Sequence, residues 1–323
     1  MRVLVIGATG YVGSRLVPAL RDDGHAVQAG ARDLDKVTGL WWHELVDHVE
    51  IDVLDARSVE TAVSSEVDAI VYLVHGMARD GFADADHVAA QNVARAADSA
   101  GVERIVYVSG IIPDVPEDEL SAHLRSRLDV ERVLSASSAD VITLRAAMVF
   151  GGGSTSFELM RQLADRLPVT VIPGWMRHRV EPIAVADLTR AIVGALEAHG
   201  GTCHFDVGGG EAVLYPDLVQ RYTELAGTQR PQLNVGFLPE KLIAQVASWV
   251  ADIPSPTVKA LMESLQHDMV AADSGWRSAL LPRGAETLTI DDAIARALVP
   301  LDGDDRRSQD PMRGWRSDPE WAS

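Results

Sequence analysis

The strand-to-helix transition at the very start of the chain limits its possible folds more than any other feature. Val3-Leu4-Val5-Ile6 runs straight into Gly7-Ala8-Thr9-Gly10-Tyr11-Val12-Gly13, and Val12, Leu16 and Leu20 then recur at helical spacing. A short all-apolar run reads as a strand buried on both faces, followed here by an amphipathic helix. In that setting each glycine has a separate task. The first lets the backbone turn sharply, the second lets a diphosphate approach without meeting a Cβ, and the third lets helix and strand pack closely. The helix N-terminus presents unpaired N–H groups to the phosphate charge. Gly7, Thr9, Gly10, Tyr11, Val12 and Gly13 are therefore candidate contacts to a dinucleotide. The structural alternative is a glycine-rich turn that holds no ligand.

The same rhythm continues to about residue 150. Val3–Ile6, Ala26–Ala31, Val49–Asp52, Ala69–Val74, Arg104–Val108 and Val141–Leu144 read as strands. Helical patterns lie between several of them, at Tyr11–Asp22, Ser58–Ser64, Ala85–Ala100 and Glu117–Ala136. Such β-α alternation predicts parallel strands joined by right-handed crossovers, an α/β doubly wound Rossmann sheet over residues 1–150. Beyond Phe150 the rhythm loosens. Helices are expected near Ser156–Arg166, Val185–His199, Tyr215–Leu225, Pro239–Val250, Thr257–Gln266 and Leu288–Leu298, and 151–301 is expected to form a smaller C-terminal substrate lobe. The remainder, 302–323, reads as a tail, charged and patternless at Asp302–Arg307. Its Trp315 and Trp321 suit docking on the body or on a partner protein.

Composition narrows the function classes. A net charge of −18 on 323 residues repels nucleic acid and anionic membrane surfaces, so neither is an expected partner. No apolar run resembles a signal peptide or a membrane span, which favours a cytoplasmic protein. The single cysteine, Cys203, admits no internal disulfide and reads as a buried strand thiol. Metal binding finds little support, because His43/His48 and His199/His204 lack partners at a recognised ligand spacing. Neither a Gly-x-Ser-x-Gly elbow nor a Gly-Lys-Ser/Thr phosphate loop occurs.

The end of the second strand bears on cofactor type. A carboxylate there holds the ribose 2′-OH of NAD, whereas an arginine suits the 2′-phosphate of NADP. Ala31 fills the acidic place and Arg32 follows, which favours NADP(H) over NAD(H); Asp33 turned inward, or Arg32 as a plain surface cation, are the alternatives. Asp52, ending strand three, suits either the adenine amino group or an ordinary Asp turn. His75, following strand four, is a pocket candidate or a strand-end residue.

Taken together, the glycine turn, Asp52-Val53, Asn92 and Val108-Ser109-Gly110 resemble an extended or atypical short-chain dehydrogenase/reductase over roughly residues 1–230. The pieces Tyr72-Leu73-Val74-His75-Gly76-Met77, His123-Leu124-Arg125-Ser126-Arg127-Leu128 and Leu144-Arg145-Ala146-Ala147 are similar to an uncharacterised bacterial group of NAD(P)-binding proteins akin to the NmrA-like proteins. This resemblance implies Val53, Leu73, Val74 and His75 at the cofactor, and the glycine loop Phe150–Phe157 around the nicotinamide and substrate. The superfamily's catalysis uses Ser, Tyr and Lys. Here Ser109 matches the Ser, while His123 stands in the Tyr place and Arg127 in the Lys place, on one helix face at i,i+4. His123 is a candidate proton donor whose pKa Arg127 would lower, and Arg127, which does not deprotonate, would grip the cofactor. A polar helix face with no proton transfer, or cofactor contact alone, are the alternatives.

The reading that follows is an NADPH-dependent reductase of a small carbonyl or enone substrate. Trp175-Met176-Arg177-His178-Arg179 is a candidate cavity wall suited to an anionic or carbonyl-bearing ligand. A non-catalytic NADP(H) sensor, scaffold or assembly factor is the rival, and a sugar-nucleotide epimerase or dehydratase a weaker one.

Overall fold

The computed structural model describes residues 1–76, 82–228, 230–236, 240–300 and 310–322. Met77, the charged stretch Asp302–Arg307 and Pro239, the expected start of a helix, all singled out above, lie outside the described residues.

Seven parallel strands form the central sheet in the order β11-β6-β5-β4-β1-β2-β3. They are β1 (Arg2–Ile6), β2 (Ala26–Ala31), β3 (Asp47–Glu50), β4 (Ala69–Tyr72), β5 (Arg104–Gly110), β6 (Asp140–Ala146) and β11 (Cys203–Val207). The period-2 geometry of β1 explains its unbroken apolar sequence. Val3 and Val5 enter one core layer with α1 (Tyr11–Asp22) and α7 (Val185–Glu197), while Leu4 and Ile6 enter the other with α3 (Ala56–Ala62) and α4 (Phe82–Ala100). α5 (Ala122–Ser135) completes the second layer. The order reverses between β1 and β4, which opens a crevice at their C-terminal ends.

Helices α1 and α8 (Tyr215–Leu225) have the expected bounds. Two expectations need correction. Strand β3 ends at Glu50, two residues before the expected Asp52, because Asp52 is spent on a turn: its Oδ1 accepts the Leu54 amide at 3.0 Å. The helix expected over Glu117–Ala136 is broken after a single 3-10 turn at Glu117–Glu119. It restarts at Ala122, where the Ser121 hydroxyl caps the Leu124 amide at 3.3 Å.

An interior proline sets an unexpected tie. Pro18 lies inside α1 and has no N–H to offer the carbonyl of Ser14, four residues back. The indole of Trp42, fully buried, donates to that carbonyl at 2.8 Å instead. Trp42→Phe should leave the carbonyl unpaired and destabilise by about 1–3 kcal/mol in urea denaturation. Pro18→Ala in the same chain restores an N–H, so the double variant should recover part of that loss. A double variant with purely additive losses would refute the exchange of donors.

Beyond β6 the chain builds a second core around Phe150, Phe157, Tyr215 and Tyr222. Its elements are β7 (Met148–Phe150), α6 (Thr155–Arg166), β8 (Thr170–Pro173), β9 (Arg179–Val180), β10 (Pro182–Ala184), β12 (Val213–Leu214), α8, β13 (Gln232–Val235), α9 (Glu240–Val250), α10 (Ser255–Ser264) and α12 (Ile290–Ala297). From the same stretch, α7, β11 and α11 (Gly275–Leu280) return to the main sheet. Cys203, expected to be buried, is exposed, since it starts the edge strand β11. Among the described residues no helix is long and apolar enough to cross a membrane.

Of the two alternatives for the tail's tryptophans, docking on the body is the one seen. Residues 310–322 do not trail free: they fold back onto the body, with Met312 fully buried and the Gln162 amide donating to the Trp321 carbonyl. The indole of Trp315 stacks at 4.5 Å over the guanidinium of Arg15, so both tryptophans dock within the chain.

Candidate active site

A groove of about 430 Å³ lies along the C-terminal ends of β1 to β4. Its lining includes Gly7, Thr9, Gly10, Arg32, Asp52, Val53, Leu73, Val74 and His75, so nine of the expected contacts converge from four separate strand ends. Gly7 adopts φ +94°, and a Cβ there would press on Val74 at 3.3 Å. At Gly13 a Cβ would fall 2.3 Å from the Gly7 carbonyl oxygen, so only glycine lets α1 start this close to the turn. Gly10 caps the helix without any side-chain hydrogen bond. The amides of Tyr11, Val12 and Gly13 therefore keep their donors free of intrahelical partners.

The phenol of Tyr11 has a different role. It packs in the second core beneath Arg15, whose guanidinium sits 4.1 Å from its ring, and does not line the groove. Tyr11, Val12 and Gly13 can thus serve a diphosphate only through their backbone. The cradle, the open helix terminus and the groove's reach all fit a dinucleotide.

At the adenosine end, Arg32 is exposed, lines the groove and forms no ion pair with a described residue. Asp33 does not turn inward; its carboxylate caps α2 (Leu34–Thr38) by accepting the Asp35 amide at 3.1 Å. Asp52 is both a turn former and a groove residue. Asn92 is structural, its side chain donating to the Val53 carbonyl at 2.9 Å.

At its other end the groove is lined by His75, Gly76, Phe82 and Asp86, and His75 touches His123; none of Ser109, His123 and Arg127 is part of the lining. The His75 and His123 rings meet edge to face with centroids 6.4 Å apart. Loss of hydration, reinforced by Arg127, pushes the His123 imidazole down to about 3. Desolvation, and after it the charges of Arg127 and His123, hold the His75 imidazole well below the usual histidine range, although the residue is exposed at the groove. Arg127 donates to the Val108 carbonyl at 2.8 Å, while its buried Nε finds no partner among the described residues. The Ser109 Oγ, also buried, lies beside Tyr107 but outside hydrogen-bond geometry. Arg127 thus brings a fixed charge, and an Nε unpartnered among the described residues, to a pair of depressed imidazoles.

Sequence reasoning missed Asp86. This buried carboxylate on α4 lines the groove, accepts from the Ser126 hydroxyl at 3.0 Å, and is raised by burial. Its signal was present: Asp86 shares the helix face of Ala89, Ala90 and Val93, an acid on an otherwise apolar stripe.

Two further expectations fail to reach the groove. The glycine loop after β7 is covered by the C-terminal segment, with the Gly152 amide bonded to the Met312 carbonyl at 2.8 Å. The cationic cluster near Trp175 is tied elsewhere, since Asp268 takes both the His178 ring at 3.0 Å and the Arg179 amide at 2.9 Å.

The depressed His123 value has a consequence for stability. Below the usual 6.5, the unfolded chain takes up a proton that the folded site refuses. The site's full contribution is therefore present above about pH 6.5 and drains away as pH falls toward 3. Between pH 7 and 4.5, His123→Gln should remove about 1–3 kcal/mol of the wild-type acid loss, as read by urea denaturation at both pH values. Equal losses in both proteins would show that His123 titrates normally.

Comparison with known proteins agrees with this geometry. The profile of a family described as NAD(P)H-binding matches residues 7–197. A 3-diazoavenalumate denitrifying reductase from a Streptomyces species is 27% identical over 308 residues, covering 86% of this chain and 96% of that protein. A ceramide reductase of Caulobacter vibrioides is 30% identical over 193 residues, 59% of each chain. Among solved structures, the triphenylmethane reductase of a Citrobacter species, complexed with NADP(H), shares the fold with a TM-score of 0.71 at 20% identity, covering 92% of this chain and 100% of that one. The chain belongs to the NAD(P)H-binding family.

Proposed function

We propose that this protein is an NADPH-dependent reductase whose acceptor is a conjugated carbonyl, a quinone or enone. The observation that carries the reading is the cluster beside His75 at one end of the groove: neutral His75 and His123 beside the fixed charge of Arg127. Bound NADPH would supply the hydride. Gly7, Gly10 and the α1 amides would hold its diphosphate, and Arg32 its 2′-phosphate. The named reductases among the similar proteins support hydride transfer as the reaction class.

Acceptor choice follows from the electrostatics. An imidazole with a pKa near 3 is charged in only about one molecule in ten thousand at pH 7, so it is a poor proton donor there. It remains a good hydrogen-bond donor. His75, with His123 beside it, can hold an oxygen on which negative charge develops, and the positive charge of Arg127 beyond them favours that charge. An enone or quinone spreads the charge as an enolate or phenolate, which water can protonate later. A simple aldehyde needs its proton at once, and the expected Tyr-and-Lys machinery for that is replaced here.

The test is stopped-flow NADPH oxidation with a quinone, an enone and an aldehyde. Turnover should favour the first two, and His123→Ala should lower kcat about a hundredfold while leaving NADPH affinity within twofold. An unchanged kcat removes His123 from the reaction.

A second reading has its own support. Ser109 is 3% exposed and Arg127 is bonded to the backbone, so the expected catalytic residues are walled off from the groove. A cofactor-binding sensor has that character. Tight NADPH binding with no turnover on any of the three acceptors would establish it.

A further inference from the structure

At the edge of the sheet opposite the groove, α1 and α7 end side by side. Asp23 follows α1, His25 precedes β2, and Glu197 is the last residue of α7. One ligand atom from each lies within 4.8 Å of the others. His25 is the unusual member. Its side chain is 5% exposed, yet neither ring nitrogen has a hydrogen-bond partner among the described residues. A buried imidazole left unsatisfied on both nitrogens calls for a ligand, since buried polar groups are otherwise paired.

We propose that Asp23, His25 and Glu197 bind a divalent transition-metal ion, Zn²⁺ in preference to Mg²⁺ or Ca²⁺. The donor set selects the metal: an imidazole nitrogen with carboxylates suits zinc, whereas magnesium and calcium favour oxygen alone. Spacing agrees. His25 Nε2 lies 3.3 Å from Asp23 Oδ2, beyond good hydrogen-bond geometry. That is about the edge of a tetrahedron with bonds of about 2.0–2.1 Å to its centre. Asp23 and Glu197 are exposed, so small side-chain rotations complete the site, and a water takes the fourth position. The backbone adds to the attraction, because both helices point their negative C-terminal ends here. The ion would staple α1, which carries the cofactor turn at its other end, to α7, and the site depends on no assumption about the reaction.

Sequence spacing gave no sign of this site, because Glu197 joins Asp23 and His25 only through the packing of α7 on α1. The test uses the full chain carrying Cys203→Ser, which removes the exposed thiol as a competing ligand. After chelator treatment, ZnCl₂ is titrated by calorimetry and the melting temperature is followed with and without zinc. One equivalent should bind and raise the melting temperature, and Co²⁺ should give the intense absorption of a tetrahedral site. His25→Gln should weaken zinc binding about a hundredfold and Glu197→Gln about tenfold, with the melting rise lost in both. Zinc binding that survives His25→Gln, or the absence of any zinc-dependent rise in the parent chain, overturns the proposal. Should His25→Gln fail to fold, the exposed Glu197→Gln decides by the same two readouts.

Discussion

Asp318→Asn is expected to destabilise the protein by about 3–5 kcal/mol. Its partner, Arg15, is a cation with a side chain 0% exposed, and Asp318 itself is 8% exposed. The two meet as a bidentate pair, with Arg15 Nη2 2.6 Å from Asp318 Oδ2. The other guanidinium donors reach the Ser14 hydroxyl and the carbonyls of Gly152, Pro311 and Arg313. The rings of Tyr11 and Trp315 pack against it, with centroids 4.1 and 4.5 Å from its central carbon. Every nitrogen of the guanidinium is hydrogen-bonded, so the cation tolerates burial. Removing the carboxylate charge leaves a desolvated cation with no counter-ion, the costly way to break such a pair. Urea denaturation measures the loss. The double variant Asp318→Asn/Arg15→Met should regain most of it, because a methionine fits against the two rings and carries no charge. A single variant within 0.5 kcal/mol of wild type would mean that the C-terminal segment is not held by this pair.

That latch shows why some of the molecule was legible in its sequence and some was not. The strand β1, the turn and α1 are specified by neighbours: an apolar run, three glycines, a helical stripe. Local signals of that kind survive folding unchanged. The strand ends that meet at the groove were legible for the same reason, since parallel β-α units must bring their C-terminal ends to one edge. Asp86 was legible in principle, because a carboxylate on a buried helix stripe needs a reason. Trp42 was not, since nothing nearby says that Pro18 has freed a carbonyl for it. Arg15 and Asp318 are separated by 303 positions, and each looks like a surface charge until the tail is folded back. His123 entered only through the resemblance, as the residue in the Tyr place, and its charge state was not legible. Desolvation is the larger cause of the depression, and it depends on packing that no residue spacing encodes.

Cofactor choice yields the second large effect. Arg32→Ala should weaken NADPH binding about 10- to 100-fold and leave NADH within about twofold. The premise is geometric: Arg32 lines the groove with no ion pair among the described residues, Ala31 before it offers no carboxylate, and Asp33 after it is held by the Asp35 amide. Nothing acidic at this strand end is therefore placed to accept a ribose hydroxyl, and a guanidinium is placed to meet a 2′-phosphate. Hydrogen bonds to a charged group contribute about 1.5–3 kcal/mol, which sets the expected range. Because the site is exposed, the NADPH preference should also shrink as salt is raised, while NADH affinity stays nearly flat. Fluorescence titration of both reduced nucleotides, with and without added salt, reads every arm. Equal loss of both cofactors in Arg32→Ala would show that the residue shapes the groove and does not select the phosphate. No loss of either would place the 2′ position elsewhere, because in an otherwise strongly acidic chain a phosphate dianion must find its counter-charge somewhere along this edge.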